Sequence, residues 1–294
     1  MERRKTIVAK LYLDSWRMGH SGWPHYSSLG NKILHLYFCI NYASKHGLEL
    51  RIPNESNLDK VFDTSKIIED SGNRVSIFQE TTAHETTNPE KIFTDSRNQF
   101  LEELFFLDQS LDSNMDVSVK GHFYHYELMP DIEMIKAFLK YNERNYLIAK
   151  EIMDTHEKTN NNCVYVHYRG TDFKNHENRM GDCRLASSFY FKSFDLCNEK
   201  FDNPLFLCFS DEPDFYAEFN KNKYNIKVLN NDYEIDWLLL HLSNKMISSN
   251  SSFCWTASLH NKSFLIQPRN GLNARQDNFL QIPYGFHIKG TVLI

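Results

Sequence analysis

An apolar run, Val164-Tyr-Val, ends abruptly in His167-Tyr-Arg169-Gly170-Thr171-Asp172. A strand that stops on histidine, arginine and aspartate carries charge at its carboxyl end, and an arginine placed there suits a diphosphate. Its planar guanidinium can fork two charge-assisted hydrogen bonds toward one phosphate. Each such bond contributes about 1.5–3 kcal/mol, and it counts toward rate when it strengthens as a leaving group collects charge. A salt bridge that closes the strand end uses the same residue types, so this stretch alone leaves both readings open.

A second stretch, Ser248-Ser-Asn250-Ser251-Ser252-Phe253-Cys-Trp255, follows an apolar strand and opens a helix. Serine and asparagine at cap positions leave N–H donors for an anion, and the dipole end adds about 0.3–1 kcal/mol. Plain N-capping is the alternative. A third stretch, Ser27-Ser-Leu29-Gly30-Asn31, turns into the first helix. Gly30 lets backbone approach a ligand and Asn31 can donate or accept at the helix start. Any α/β protein could carry this turn, so alone it decides nothing.

The elements that must position these groups alternate along the chain. Thr6–Leu13 reads as a strand, a pattern from Asn31 onward as a helix ended by Gly47, and Leu48–Ile52 as a second strand. Residues from about 54 to 115 are polar and irregular apart from an apolar helix near Phe100–Leu107. Val117–Tyr124 predicts a strand, and Asp131 to about Glu157 one long helix after Pro130. The polar stretch 156–162 predicts a domain boundary, dividing the chain into 1–158 and 159–294. Beyond it, strands are expected at Cys163–Tyr168, Leu205–Phe209, Ile226–Leu229, Met246–Ser248 and Phe264–Gln267. Helices fit near 187–200, 213–221, 234–245 and 252–261. The expected fold is α/β, with two Rossmann-like domains facing across a cleft and ligands at the carboxyl ends of strands.

Composition narrows the classes. A chain of 294 residues with 41% hydrophobic, 24% charged and 14% aromatic side chains is ordinary for a globular protein large enough for two cores. A net charge of -5, with Arg3-Arg4-Lys5 as the one basic cluster, argues against nucleic acid as partner. Cys39, Cys163, Cys183, Cys197, Cys208 and Cys254 form no C-x-x-C pair, which argues against zinc and for free thiols in a reducing compartment. No apolar stretch nears the roughly 20 residues that span a bilayer, so no membrane span is expected and the chain reads as cytoplasmic.

Taken together, these stretches resemble the α-1,2-fucosyltransferase family and its wider fucosyltransferase superfamily. The strand end His167-Tyr-Arg169-Gly170-Thr171-Asp172 resembles the family's His-x-Arg-x-x-Asp, and Ser27-Ser-Leu29-Gly30-Asn31-Lys32 its Gly-Gly-Leu-Gly-Asn-Gln loop. Ser249-Asn250-Ser251-Ser252-Phe253-Cys-Trp255 is similar to its Ser-Asn-Ser-Ser-Phe-x-Trp segment, with Asp236-Trp-Leu-Leu-Leu-His-Leu ahead at the family's spacing. Gly121-His-Phe-Tyr-His-Tyr-Glu127 and Phe209-Ser-Asp211-Glu also match, in family order over about residues 27–270.

The resemblance implies a GT-B fold and an inverting glycosyltransferase moving L-fucose from GDP-fucose to a hydroxyl of a glycan. No metal or cofactor is implied beyond the GDP-sugar co-substrate, and no convincing Asp-x-Asp metal motif is present. It implies that Arg169 holds the β-phosphate and stabilises departing GDP, and that His167 helps place the diphosphate or ribose. Ser251, Ser252 and Phe253, with Asn250, would cradle phosphate and sugar, Asp236 would contact the nucleoside, and Gly30 and Asn31 would approach the donor. Asp172 is expected to orient Arg169 and its loop.

On the acceptor side, His25, Trp23 and Glu127 are candidates, with Asp14, Trp16 and His20 beside them. Each has a structural role as its alternative. Gly170 stands where most α-1,2 enzymes have a second arginine, which keeps two alternatives in view: another nucleotide-sugar donor, or a non-catalytic nucleotide- or glycan-binding protein. Absence of a membrane anchor favours a bacterial or viral origin.

Overall fold

Strands β1 (Thr6–Ala9) and β2 (Glu49–Pro53) lie parallel, with Val8 opposite Arg51. Parallel neighbours need a crossover connection, and helix α1 (Leu29–His46) lies within it. Gly47 ends that helix at φ 63°, a left-handed conformation that glycine takes without steric cost, and the Leu48 amide returns to the Ala43 carbonyl at 2.9 Å. The computed structural model describes residues 6–9, 29–53, 57–69, 76–79, 117–120, 129–174, 184–220, 224–260, 262–269, 288 and 290–294. The expected helix near 100–107 and most of the irregular stretch lie outside these residues.

The first sheet is completed by β4 (Ile68–Glu69), β5 (Ser76–Gln79) and β6 (Val117–Lys120), in the order β4-β2-β1-β6-β5 and parallel throughout. Helix α1 packs on β1 and β2, and Ile33, Leu34, Leu36, Tyr37 and Ile40 are fully buried. A short antiparallel pair joins β3 (Phe62–Asp63) to β7 (Lys140–Tyr141).

That pair corrects the expected long helix from 131 to 157. The structure has α2 (Ile132–Phe138), then β7, then α3 (Glu143–Glu157). Asp131 caps α2, its carboxylate accepting from the Met134 amide at 2.7 Å. The break at 139–142 is tertiary in origin. Tyr141 stacks on Phe62 with ring centroids 6.0 Å apart, while the Asn142 amide donates to the Val61 carbonyl and its side chain to the Asp59 carbonyl. Those bonds reward an extended backbone where the local apolar period alone would continue a helix.

The second sheet contains β8 (Cys163–Tyr168), β9 (Leu205–Ser210), β10 (Asn225–Val228), β11 (Lys245–Ile247), β12 (Phe264–Gln267) and β13 (Val292–Leu293). Its helices are the single turn α4 (Thr171–Lys174), α5 (Ser187–Lys200), α6 (Ala217–Asn220), α7 (Tyr233–Leu242) and α8 (Ser252–Ser258). All six strands are parallel, in the order β10-β9-β8-β11-β12-β13. Counted within this sheet the order is the Rossmann arrangement 3-2-1-4-5-6, which reverses between β8 and β11. Every residue of β8 is buried, as a central parallel strand covered on both faces requires. An aromatic core seals the α5 side, with Phe194 4.4 Å from Phe206 and Tyr190 edge-on to Phe189.

Two compact units result, Met1–Asn142 with Pro283–Phe286 and Glu143–Ile282 with His287–Ile294. The division thus comes ahead of α3, not after residue 158, because α3 packs on α7 of the second unit. The expected α/β class with two Rossmann-like units, the GT-B type, is present.

At the lower end of α7 the buried Lys262 ammonium donates to the carbonyls of Leu240, His241 and Ser243 at 2.8–2.9 Å, capping that helix from the segment after α8. The five described cysteines are free and buried. No described helix is long and apolar enough to cross a membrane.

Candidate functional site

The switch point of the second sheet brings the first two sequence stretches together. His167 is the fifth residue of β8, and Ser248 to Ser251 link β11 to α8 directly beside it. Nδ1 of His167 lies 2.8 Å from Oγ of Ser249, and the imidazole ring faces Phe253 at 5.2 Å. The Ser249 and Ser251 hydroxyl oxygens lie 3.3 Å apart, and Ser251 accepts from the Cys254 amide as the N-cap of α8.

The His167–Ser249 contact fits either tautomer: Nδ1 donates to the hydroxyl and leaves Nε2 an acceptor, or Nδ1 accepts from it and Nε2 carries the N–H. Burial, followed by the Arg169 charge, holds the imidazole well below its usual pKa. His167 is therefore neutral near pH 7. It can share one hydrogen bond with a ligand through Nε2 but adds no charge against an anion.

Arg169 leaves the strand end and meets Asp211, the residue after β9, with Nη1 to Oδ2 at 3.3 Å. Asp211 also accepts from the Gly170 amide at 2.8 Å and the Thr171 hydroxyl at 2.6 Å. Burial alone would raise this carboxyl, but the Arg169 charge and the two hydrogen bonds outweigh it and hold the group below the ordinary carboxylate value. Asp211 is thus one acid that orients Arg169. Asp172, expected in that role, lies in the single turn α4, and its side chain is outside what the structure describes.

Gly170 is required by its neighbour: a Cβ there would stand 2.4 Å from Glu212 Oε2 and 2.7 Å from Glu212 Cβ. Glu212 in turn faces Arg184, with 3.8 Å between Oε2 and Nη1.

Asn250 and Ser251 are buried, and Ser252 and Phe253 are partly exposed at the start of α8. The seven-residue α8 is too short for much of a dipole, so its hydroxyls and the first-turn N–H groups of Ser252 and Phe253 are what it offers an anion. Asp236 lies in the first turn of α7, at the same sheet edge but reached from β10, and accepts from Asn231 Nδ2 at 2.9 Å. Burial, opposed by the Asn231 hydrogen bond and reinforced by Asp232 and Glu234, pushes its pKa up to about 7.

Gly30 and Asn31 lie in the first turn of α1, in the other unit, Gly30 buried and Asn31 half-buried. The acceptor-side candidates His25, Trp23 and Glu127, and with them Asp14, Trp16 and His20, lie outside the described residues. Sequence reasoning gave no role to Ser249, Glu212 or Arg184. Ser249 and Glu212 sit within quoted motifs, but only Arg184's place in the fold reveals its neighbours. Among the described residues no group of three His, Cys, Asp or Glu side chains could hold a metal ion.

No protein-family model matches the chain, and no curated protein matches it in sequence. Solved structures do match in fold. NodZ alpha-1,6-fucosyltransferase co-crystallised with GDP superposes with a TM-score of 0.51 at 14% identity, over 87% of this chain and 92% of that one. Fucosyltransferase NodZ from Bradyrhizobium gives 0.50 at 13% identity, over 87% and 93%. POFUT1 in complex with GDP gives 0.45 at 12% identity, over 87% and 94%.

At these identities the likeness is one of fold, and the two NodZ structures carry it. NodZ acts with an α-1,6 linkage, so the narrower α-1,2 resemblance gains nothing from it.

Proposed function

We propose that the chain is an inverting glycosyltransferase that takes a sugar from a nucleoside-diphosphate donor, GDP-fucose first among candidates, and places it on a glycan hydroxyl. The observation that carries this reading is the convergence of His167–Arg169 with Ser249–Phe253 at the β8/β11 switch point, where the hydrogen bond between His167 and Ser249 joins the two stretches. Ligands of doubly wound sheets bind in that crevice. The fold shared with NodZ, a fucosyltransferase co-crystallised with GDP, supports the choice of donor.

The chemistry fits these groups. Glycosyl transfer passes through an oxocarbenium-like state while charge builds on the leaving group. In this reading Arg169 sits against the β-phosphate and binds it more strongly as the sugar departs. The N–H groups of Ser252 and Phe253 and the Ser252 hydroxyl donate to the remaining phosphate oxygens. His167 shares a hydrogen bond through Nε2 with a ribose or sugar hydroxyl, and Asp236 accepts from nucleobase N–H groups. No metal is required by this scheme, and undiminished transfer in chelator is its expected signature.

Calorimetric titration with GDP, UDP and CDP, followed by transfer assays with the matching sugars, tests the proposal. GDP binding with hydrolysis or transfer of fucose supports it. Binding of another nucleoside diphosphate alone redirects the donor, and binding of none rejects the enzyme reading.

A further inference from the structure

We propose that Tyr190 and Tyr216 are positioning residues whose buried hydroxyls hold the tips of β8 and β9 and so fix the spacing of Arg169 and Asp211; the use made of that spacing rests on the donor site proposed above.

The carbonyl of Cys208 points to the β10 side of the sheet, where it accepts from the Leu229 amide at 2.9 Å. Successive peptides of a parallel strand bond to opposite neighbours. The Phe209 peptide therefore faces β8, and that of His167, its partner in register, faces β11. The ladder between β8 and β11 ends with Val166 opposite Ile247. Continued by one residue, it would bring the Ser249 amide to the His167 carbonyl. That amide donates instead to Sγ of Cys254 at 3.3 Å, as the chain turns toward α8. A sheet hydrogen bond is given up where the strands part to form the crevice.

Tyr190, in the first turn of α5, takes the vacated place. Its hydroxyl donates to the His167 carbonyl at 2.9 Å, and the residue is fully buried. On the neighbouring strand the Tyr216 hydroxyl donates to the Phe209 carbonyl at 3.1 Å, with the Val166 carbonyl 3.4 Å away. His167 and Phe209 stand opposite one another, and each lies two residues before one member of the Arg169–Asp211 pair. Tyr168 stacks on Phe215 at 3.6 Å and meets Tyr190 edge-on at 5.7 Å, which ties the same two tips through their rings.

Packing alone does not call for either hydroxyl. The surrounding core is built largely of phenylalanine, and a buried phenol costs desolvation unless its oxygen finds a partner. Both oxygens find theirs at the strand ends that carry the charged pair. A tip that slips would lengthen the 3.3 Å contact between Arg169 and Asp211 and spoil the aim of the guanidinium at an anion.

The test uses Tyr190→Phe and Tyr216→Phe in the full chain, each of which removes one hydroxyl and keeps its ring, with Tyr224→Phe as control. Tyr224 belongs to the same aromatic core, but its hydroxyl donates to Asp195 of α5 at 2.9 Å. NMR titration of the Asp211 carboxyl carbon, assigned by its loss in Asp211→Asn, reads the ion pair without any ligand. Both strand-tip variants are expected to move that titration up toward the ordinary carboxylate value as Arg169 draws away, and the control to leave it in place. Binding is read by calorimetry for GDP and by chemical-shift titration for guanosine. Each strand-tip variant is expected to weaken GDP about three- to tenfold and to change guanosine, which lacks the phosphates, much less.

Each variant is read separately, so loss of the fold in one leaves the other to decide. An Asp211 titration unchanged by the strand-tip variants, or moved equally by Tyr224→Phe, overturns the inference and leaves the hydroxyls to core stability alone. Equal weakening of GDP and guanosine overturns it as well. If the unaltered chain binds no nucleoside diphosphate, the donor reading falls, and the Asp211 titration still decides whether the two hydroxyls hold the pair.

Discussion

Nδ1 of His167 and Oγ of Ser249 stand 2.8 Å apart across the gap where the strand order reverses. The bond joins residues 82 positions apart in the chain and ties the end of β8 to the turn after β11.

Replacing Ser249 by alanine leaves the buried Nδ1 of His167 without this partner. A buried polar atom left unpaired costs about 1–3 kcal/mol, so Ser249→Ala is expected to lower the urea midpoint by a matching amount. An unchanged midpoint would show that the His167–Ser249 bond contributes nothing to stability.

Arg169→Gln is expected to reduce sugar transfer by about 10²–10³-fold, the range found when one stabilising donor to a developing anion is removed. Asp211→Asn keeps the shape and one acceptor, for the Gly170 amide, but removes the charge facing Arg169; because the guanidinium itself remains, its loss should be smaller. The pH profile separates the two effects. The Asp211 carboxyl sits below its ordinary value, so its contribution to stability is present above about pH 4 and lost as pH falls through the lower folded-state value. Melting temperatures from pH 7 down to pH 3 should fall more steeply for the unaltered chain than for Asp211→Asn.

Gly170→Ala should destabilise by about 1–3 kcal/mol, the usual cost of overpacking, because its new methyl meets Glu212 within 2.4 Å. Adding Glu212→Ala should restore only part, since the Glu212 Cβ itself lies 2.7 Å from that methyl. Additive melting shifts across the four proteins would contradict the contact.

Asp236 gives a pH dependence of the opposite sign. Its pKa is raised to about 7 in the fold, so the folded state holds a proton that the unfolded chain releases near pH 4. Stability attributable to this group is full below that value and declines until pH passes about 7. Asp236→Asn should therefore gain in melting temperature over the unaltered chain at pH 8 and show little gain at pH 4.5. With GDP, which in the proposed pose donates to the ionised carboxylate, affinity should rise from pH 6 to 8 in the unaltered chain. The rise should be shallower in the asparagine variant, where only phosphate titration remains.

Strand and site signals were legible where they are local. Cys163–Tyr168 and Phe264–Gln267 match their expected bounds because unbroken apolar runs between polar stops leave a buried parallel strand little freedom. Ser251 was legible as a cap for the same reason: the bond it accepts comes from its own helix, at Cys254.

What stayed hidden depends on distant partners. Nothing near Leu139 or Asn142 announces a break, since the bonds that make it come from Asp59 and Val61. Asp211 meets Arg169 and, 41 positions along the chain, the Gly170 amide, a pairing that no local pattern announces. The pairing of Arg184 with Glu212 is of the same kind, since only the folded sheet edge makes neighbours of them.

The Lys262 ammonium couples the far ends of α7 and α8, the helices that carry Asp236 and Ser252 at their other ends. One ammonium thus ties the carboxyl end of α7 to the segment that follows α8, so a substitution at Lys262 is expected to loosen both helices together, although it lies far along the chain from Asp236.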